Sequence, residues 1–385
     1  MRLSERIRYV GVNDMSTDLF ERQWPIPYGV SYNSYLVVDE KVALVDTAAA
    51  DFGDKLIANI KAEIGDRPVD YLVVNHMEPD HSALQAMIRK EYPGCEIVTN
   101  AKAAAMIEGY YGITEGIKVV KEGESLPLGA VNLRFFMVPM VHWPETMVSW
   151  CGEEKTLFSG DAFGTFKAVP ECVTDAESGT FDAFKDEMTR YYASIVGKYG
   201  APVQAALKKL NGLEIKRICS THGPVWENSI ANVIALYDKL SCYDADHGVC
   251  LAFGSMYGNT KKAAEALAKA IENRGISCRI HDLTKENYSF ALRDVFKYDT
   301  LILGSPTYNN GIFPPVRQLM EGVCDRAVKG RKFLSFGSFT WAAASVKLLD
   351  EMAASAGFEI LAPGTTFKQG YSEAKFDADA LASLL

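Results

Sequence analysis

No apolar run in this sequence reaches the roughly 18 residues that a membrane-crossing helix needs. Its first residues, MRLSERIRYVGV, hold no continuous apolar stretch like that of a secretion signal. Both absences lead us to expect a soluble, cytoplasmic protein. Positive charge is not in excess: 40 Lys and Arg stand against 49 Asp and Glu, a net charge of −9, and the isoelectric point is near 5.3. Nucleic acid and anionic membrane are therefore not expected as partners. The eight cysteines are scattered and no two are spaced C-x-x-C, which argues against zinc ribbons and a disulfide framework. Two nucleotide fingerprints, G-x-G-x-x-G and G-x-x-x-x-G-K-[ST], are also missing. Internal repeats and low-complexity tracts are lacking too.

What is present is an ordinary globular composition, 48% hydrophobic and 23% charged, over 385 residues, enough for two domains with separate cores. Up to about Ser241 the chain shows short β-rich runs, among them Tyr71 to Asn75, Asn132 to Val138, Thr156 to Ser159 and Arg217 to Ser220. Helical stretches interrupt them at Lys55 to Ile64, Ser82 to Lys90 and Asp182 to Tyr199, which predicts an α/β arrangement with much antiparallel sheet. After Asp246 strands and helices alternate regularly, from the strand Val249 to Gly254 to a closing strand Glu359 to Leu361, as in a doubly wound parallel sheet of five strands. The short polar connection SCYDADH, residues 241–247, separates the two patterns. Domains of 1–245 and 246–385 are expected.

Of only six histidines, four sit just beyond β-like runs: His76, His81, His142 and His222. The run Asn75-His76-Met77-Glu78-Pro79-Asp80-His81 follows the strand YLVV, and its four donor residues can converge only in a loop, where Pro79 prevents an early helix. Asp161 follows TLFSG and adds a further carboxylate at a strand end. Any one of these is more simply a buried histidine or a turn residue, but seven together point to a metal site. Four imidazoles and three carboxylates suffice for two metals, and hard carboxylate oxygens favour iron or manganese over zinc.

A second constellation lies in the other half. Ser255-Met256-Tyr257-Gly258-Asn259-Thr260 joins a buried strand to a helix, where hydroxyls and backbone N–H groups can seat a phosphate without lysine. Taken alone it is equally an N-cap supplied by Asn259 or Thr260. Two further loops, Ser305-Pro306-Thr307-Tyr308-Asn309-Asn310-Gly311 and Ser338-Phe339-Thr340-Trp341-Ala342, should emerge at the same sheet edge. Tyr308 and Trp341 can stack on a planar ring, so FMN is the expected ligand.

These motifs together resemble a known family. The first half is similar to the metallo-β-lactamase fold, with H-x-E-x-D-H where that fold usually has H-x-H-x-D-H. With His142-Trp143-Pro144-Glu145, Phe158 to Gly164 and Ser220-Thr221-His222-Gly223-Pro224, it resembles the flavodiiron proteins, whose flavodoxin domain SMYGNT and SPTYNNG also match. The resemblance implies an αββα sandwich followed by a flavodoxin-like sheet, and an enzyme that reduces dioxygen to water, nitric oxide to nitrous oxide, or both. It implies one iron on His76, Glu78 and His142, a second on Asp80 and His222, and Asp161 as bridge. His81 either completes the second set or turns away, as in some relatives. Many members carry a fused rubredoxin with two C-x-x-C pairs; none occurs here, so electrons should come from an external donor, rubredoxin or a reduced deazaflavin. A head-to-tail homodimer or dimer of dimers is implied as well. The rivals are a zinc hydrolase with a flavodoxin appendage and a non-catalytic electron carrier, which metal and flavin contents separate.

Overall fold

Two sheets face each other in the first part of the chain. One has the strand order Ile7–Tyr9, Tyr35–Val38, Val42–Val45, Tyr71–Val73, Glu96–Thr99 and Ile117–Val119; the other runs Ser125–Pro127, Asn132–Met137, Met147–Cys151, Thr156–Gly160 and Arg217–Ser220. In Asn132–Met137, Leu133 and Phe135 turn inward while Arg134 is exposed, the period-two pattern of a sheet with one buried face. Tyr35, Val37, Val45 and Val73 of the first sheet share one core with Leu133, Phe135, Met147 and Phe158 of the second. Burying each such side chain contributes roughly 1.5 to 3 kcal/mol, so this interface is what holds the sandwich together. Thr156–Gly160 and Arg217–Ser220 pair in parallel, which sends the residues after them, Asp161 and His222, out of the same edge. This computed structural model describes residues 1–169, 173–177 and 179–385.

The second sheet system is parallel, in the order Cys278–Asp282, Asp246–Phe253, Tyr298–Gly304, Lys332–Phe339 and Glu359–Ile360. The five-stranded expectation holds, with one addition: Thr365–Lys368 also pairs with Lys332–Phe339, so two short strands share the outer position. The helix Asn259–Glu272 buries Ala263, Ala264, Leu267, Ala268 and Ile271, a 3–4 spacing that lays one face on Val249, Leu251, Phe253 and Ile302. A helix at Tyr288–Lys297, capped by the Asn287 side chain, fills a stretch for which the sequence suggested no element.

One expected helix is revised. Asp182 to Tyr199 reads as continuous, yet the α-helix covers Thr180–Tyr191 and widens into a π-helical turn over Tyr192–Val196. Two compact units result, residues 1–191 with 201–238, and residues 192–200 with 239–385. The guanidinium of Arg326 explains the exchange: it donates to the carbonyls of Ala193 and Ser194 at 2.5 and 2.9 Å and ties that turn to the second unit. Among the described residues no helix is long and apolar enough to cross a membrane.

Candidate metal centre and flavin cradle

The loop after Tyr71–Val73 is pinned from below. Asn75 donates its backbone N–H and side-chain amide to the carboxylate of buried Asp46 at 2.8 and 3.1 Å, and accepts from the Ser149 hydroxyl at 2.7 Å. Burial raises the Asp46 carboxyl to about 6. Pro79 does not delay a helix as expected; it occupies the first position of a short one, Pro79–Ser82, where its missing N–H costs nothing. That turn carries Asp80 and His81 inward, and the Thr47 hydroxyl and N–H hold the carbonyl of His81 at 2.6 and 2.8 Å. Gly223, after His222, has φ of 77° and would drive a Cβ within 2.1 Å of Thr165, so only glycine fits.

All seven candidate donors gather in two groups, His76, Glu78, His142 and Asp161 in one and Asp80, His81 and His222 in the other. In the first, His142 Nε2 is 3.0 Å from Glu78 Oε2, 3.1 Å from Asp161 Oδ2 and 3.3 Å from His76 Nε2. In the second, His81 Nε2 is 3.3 Å from Asp80 Oδ2, and His222 Nε2 is 3.4 Å from the same oxygen. Asp161 turns its other oxygen, Oδ1, to this side, 2.9 Å from His81 and 3.7 Å from His222. Four ligands at about 2.1 Å from one ion stand roughly 3.4 Å apart in a tetrahedron, so both groups have the spacing of a metal's donor set.

Burial makes the fit more specific. His76, His81, Asp161 and His222 are fully buried, yet both oxygens of Asp80, both ring nitrogens of His81 and Nε2 of His222 make no hydrogen bond. Buried polar atoms left in that state are costly, and a cation between them satisfies most of these atoms at once. The outward nitrogens of two imidazoles are already committed. His222 Nδ1 donates to the carbonyl of Ser31 at 2.7 Å, and His76 Nδ1 lies 2.9 Å from Glu145 Oε1, which also accepts the N–H of Met77. Such partners fix the tautomer and aim Nε2 at the metal. The Thr221 hydroxyl donates to Asp161 Oδ1 at 2.6 Å. Glu145 and Thr221 fall within the runs His142 to Glu145 and Ser220 to Pro224 that carry the resemblance, with no role of their own there, and Ser31 carried no signal in the sequence.

Charge follows from the same crowding. Burial lowers an imidazole's pKa, but Asp80 and Asp161 outweigh it at His81, and Asp161 and Glu78 at His142, raising each to about 9. Asp161 lies well below the usual carboxylate range: burial pushes it up, and the imidazoles of His81 and His76 overcome that. An imidazole must lose its proton to ligate, and although burial lowers His76 too, Asp161 and Glu145 hold it well above its usual value, so iron affinity of the apoprotein should rise with pH from 6.5 to 9. Each imidazole proton released on binding adds about one decade per pH unit. A chelator-competition titration from pH 6.5 to 9 checks this, and a flat profile contradicts it. Glu145→Gln should weaken iron retention about 10- to 100-fold by freeing the His76 ring; the same competition assay reads it, and retention equal to wild type would remove Glu145 from this role.

A cavity of about 610 Å³, lined by Phe20, Glu21, Tyr32, Glu78 and Asp80 among others, opens onto the donors. In the other unit a cavity of about 510 Å³ is walled by the three loops expected to hold FMN. Met256, Tyr257, Asn259, Thr260, Thr307, Tyr308, Trp341 and Ala342 are among the lining residues, while Gly258, Ser305 and Gly311 are not. Ser305 instead shapes its loop, accepting the N–H of Phe313 at 3.1 Å. Asn309 and Asn310, with φ of 48° and 55°, form the two-residue turn of a small hairpin. Neither Asn259 nor Thr260 caps the helix Asn259–Glu272: Gly258 stands at the cap, at φ of 87° and with no side-chain bond, and the Ser255 hydroxyl accepts the N–H groups of Gly258 and Lys261 at 3.1 and 3.3 Å, so the positive helix end opens on the cavity beside Ser255. Asn259 accepts the N–H of Tyr371 instead. Gln369 and Gly370 complete the wall, in a stretch beyond the last strand read from sequence. Tyr257 and Trp341 are 91% and 85% exposed at the rim, open to a planar ligand's face.

A donor set for two metals on a β-sandwich, joined to a flavodoxin-like sheet with an anion seat, defines the class. Residues 30–223 match the ODP family beta lactamase and residues 251–382 match flavodoxin. The chain is 31% identical to rubredoxin-oxygen oxidoreductase of Megalodesulfovibrio gigas, covering 95% of this chain and 92% of that one. It is 30% identical to nitric oxide reductase of Moorella thermoacetica, covering 94% and 92%. The flavodiiron protein from Giardia intestinalis superposes with a TM-score of 0.92 at 27% identity, covering 99% of this chain and 95% of that one. The chain belongs to the flavodiiron proteins.

Proposed function

We propose that this chain is an oxidoreductase that reduces dioxygen to water, nitric oxide to nitrous oxide, or both, with FMN and two irons as cofactors. The observation that carries the reading is Asp161, which divides its two oxygens between the two donor groups. When bound, the irons and FMN supply one-electron steps at a metal pair and store up to four electrons between them. His76, Glu78 and His142 would hold one iron, Asp80, His81 and His222 the other, with Asp161 on both. The loops 255–260, 305–311 and 338–342 would hold FMN, its phosphate at the start of the helix Asn259–Glu272 and its ring beside Tyr308 and Trp341. On this reading residues 1–245 form the di-iron domain and residues 246–385 the FMN domain.

The chain's own groups do the rest. Glu145 and the Ser31 carbonyl keep two imidazoles turned inward, and the apolar ring of Phe20 packs edge-on against His222. Electrons enter from an external donor such as rubredoxin, which the name of the M. gigas relative pairs with that enzyme, or a reduced deazaflavin. The working unit is a homodimer, able to pair into a dimer of dimers, acting in the cytoplasm.

Purified protein should carry two irons and one FMN per chain and should consume each gas when reduced anaerobically and supplied with it. Zinc in place of iron turns the reading to a hydrolase. Release of FAD or no flavin from folded protein overturns the FMN assignment, and failure to consume either gas overturns the activity.

A further inference from the structure

The helix Ala101–Tyr111 is held to the fold by little apolar packing: along its 11 residues Ala103 and Ile107 are the buried ones, and Ala105, Glu108 and Gly109 stand in solvent. Both of its ends, by contrast, make polar bonds to the metal loops. At the start, the side-chain oxygen of Asn100 accepts the N–H groups of Lys102 and Ala103, both at 3.1 Å, and so caps the helix. The nitrogen of the same amide donates to the carbonyl of Glu145 at 2.5 Å, and the Lys102 ammonium donates to the carbonyl of Pro144 at 3.3 Å. Glu145 in turn meets His76 Nδ1 and the N–H of Met77 with one carboxylate oxygen, both at 2.9 Å.

At the other end stands Tyr111, just before Gly112 stops the helix at φ of 65°. The fully buried Ser82 hydroxyl has one proton and gives it to the carbonyl of Met77 at 2.8 Å. The Tyr111 hydroxyl, 2.9 Å away, therefore donates to Ser82. Both routes end on Met77, buried between His76 and Glu78, whose N–H lies on Glu145 and whose carbonyl lies on Ser82. Eleven helical residues span about 16 Å, and a rod of that length carries the position of one end to the other. We propose that the helix Ala101–Tyr111 is a strut that sets the positions of His76 and Glu78, with Asn100 and Tyr111 as positioning residues; the inference rests on the two-iron reading above and adds to it a support outside the donor set. A strut works only when held at both ends. With so little apolar packing the helix pivots once either end is released, and the bond at the other end no longer fixes the loop.

Two substitutions release one end each. Asn100→Ser keeps an oxygen for the cap but loses the amide that donates to Glu145, and Tyr111→Phe keeps the ring but loses the donor to Ser82. Retention of ferrous iron by the purified, FMN-loaded protein, read by chelator competition, should fall about tenfold in each, the lower end of what losing an outer partner of a metal ligand does. The double variant should also lose about tenfold and not a hundredfold, because one released end already disables the other. Cobalt(II) loaded in place of iron should show shifted visible absorption bands in all three variants, a signature of ligand geometry that a loss of stability alone does not move. Ile107→Val loosens the packing of the helix and touches neither end, so it should lower the melting temperature while iron retention and cobalt bands stay at wild type. Wild-type retention and bands in both single variants overturn the proposal, and losses that multiply in the double variant overturn it too, by making the two bonds independent. A loss of retention in Ile107→Val equal to that of the end variants overturns it as well, since stability then governs the metal. Metal analysis of the wild type comes first: a wild type that binds no iron defeats the two-iron reading and this inference with it, whereas an iron-loaded wild type with indifferent variants defeats this inference alone.

Discussion

Asp161→Ala is expected to reduce bound iron from two per chain to one or none and to cut gas reduction by more than about a hundredfold, beyond the 10- to 100-fold typical of losing an outer partner of a metal ligand. The reason lies in one side chain serving two groups. Asp161 Oδ2 stands with His142 and Glu78, and Oδ1 stands with His81 and His222, so alanine takes a donor from both. It also removes the charge that helps raise His81 and His142. Those imidazoles then lose their protons more easily, so the apoprotein sheds buried charge instead of unfolding, and the pH dependence of iron uptake flattens. The folded variant is therefore a fair test. Iron analysis by mass, a melting curve and turnover measure the outcome; a variant that keeps two irons and full activity would falsify the bridging role.

The parts of this site that could be read from sequence are those in which chemistry and position coincide in the side chain. His76, Glu78, Asp80, His81, His142, Asp161 and His222 each follow a β-rich run, and strand ends are where such sheets gather functional groups. Residues of the loops 255–260, 305–311 and 338–342 line one cavity for the same reason. What stayed hidden is of another kind. The partner of His222 is a backbone carbonyl, that of Ser31, which no residue type announces. Tyr191 ends a helix as an ordinary aromatic, and only the fold sets its ring against His222. The helix expected over Asp182 to Tyr199 was misjudged because its polar and apolar spacing is continuous, whereas its end is set by Arg326, more than a hundred residues away. The expectation that Pro79 delays a helix used the right property at the wrong position: a missing N–H breaks a helix interior but suits its first residue.

Mixing two inactive variants should create activity that neither has. One carries His142→Ala with Glu78→Ala and so lacks a complete iron site while keeping its flavin loops. The other carries Ser255→Asp, which sets a carboxylate where the FMN phosphate would sit; an aspartate can accept the N–H groups of Gly258 and Lys261 that the Ser255 hydroxyl now accepts, so the fold should survive while like charge repels the phosphate. Electron transfer weakens steeply with distance, so a flavin must lie against the metal site it serves, and the exposed rings of Tyr257 and Trp341 give the flavin rim an apolar surface that the proposed homodimer would bury. In a twofold dimer with each flavin against the partner's metal site, a mixed dimer has one junction with both cofactors and one with neither. Equal amounts, fully exchanged, should recover about a quarter of wild-type turnover, from half the dimers being mixed and half of their junctions complete. If transfer instead runs within one chain, every chain in the mixture lacks one cofactor and turnover stays at zero however well the chains exchange. Mass spectrometry of the mixture shows whether mixed dimers formed, so a null result with mixed dimers present, or full turnover by a verified monomer, would establish the within-chain route.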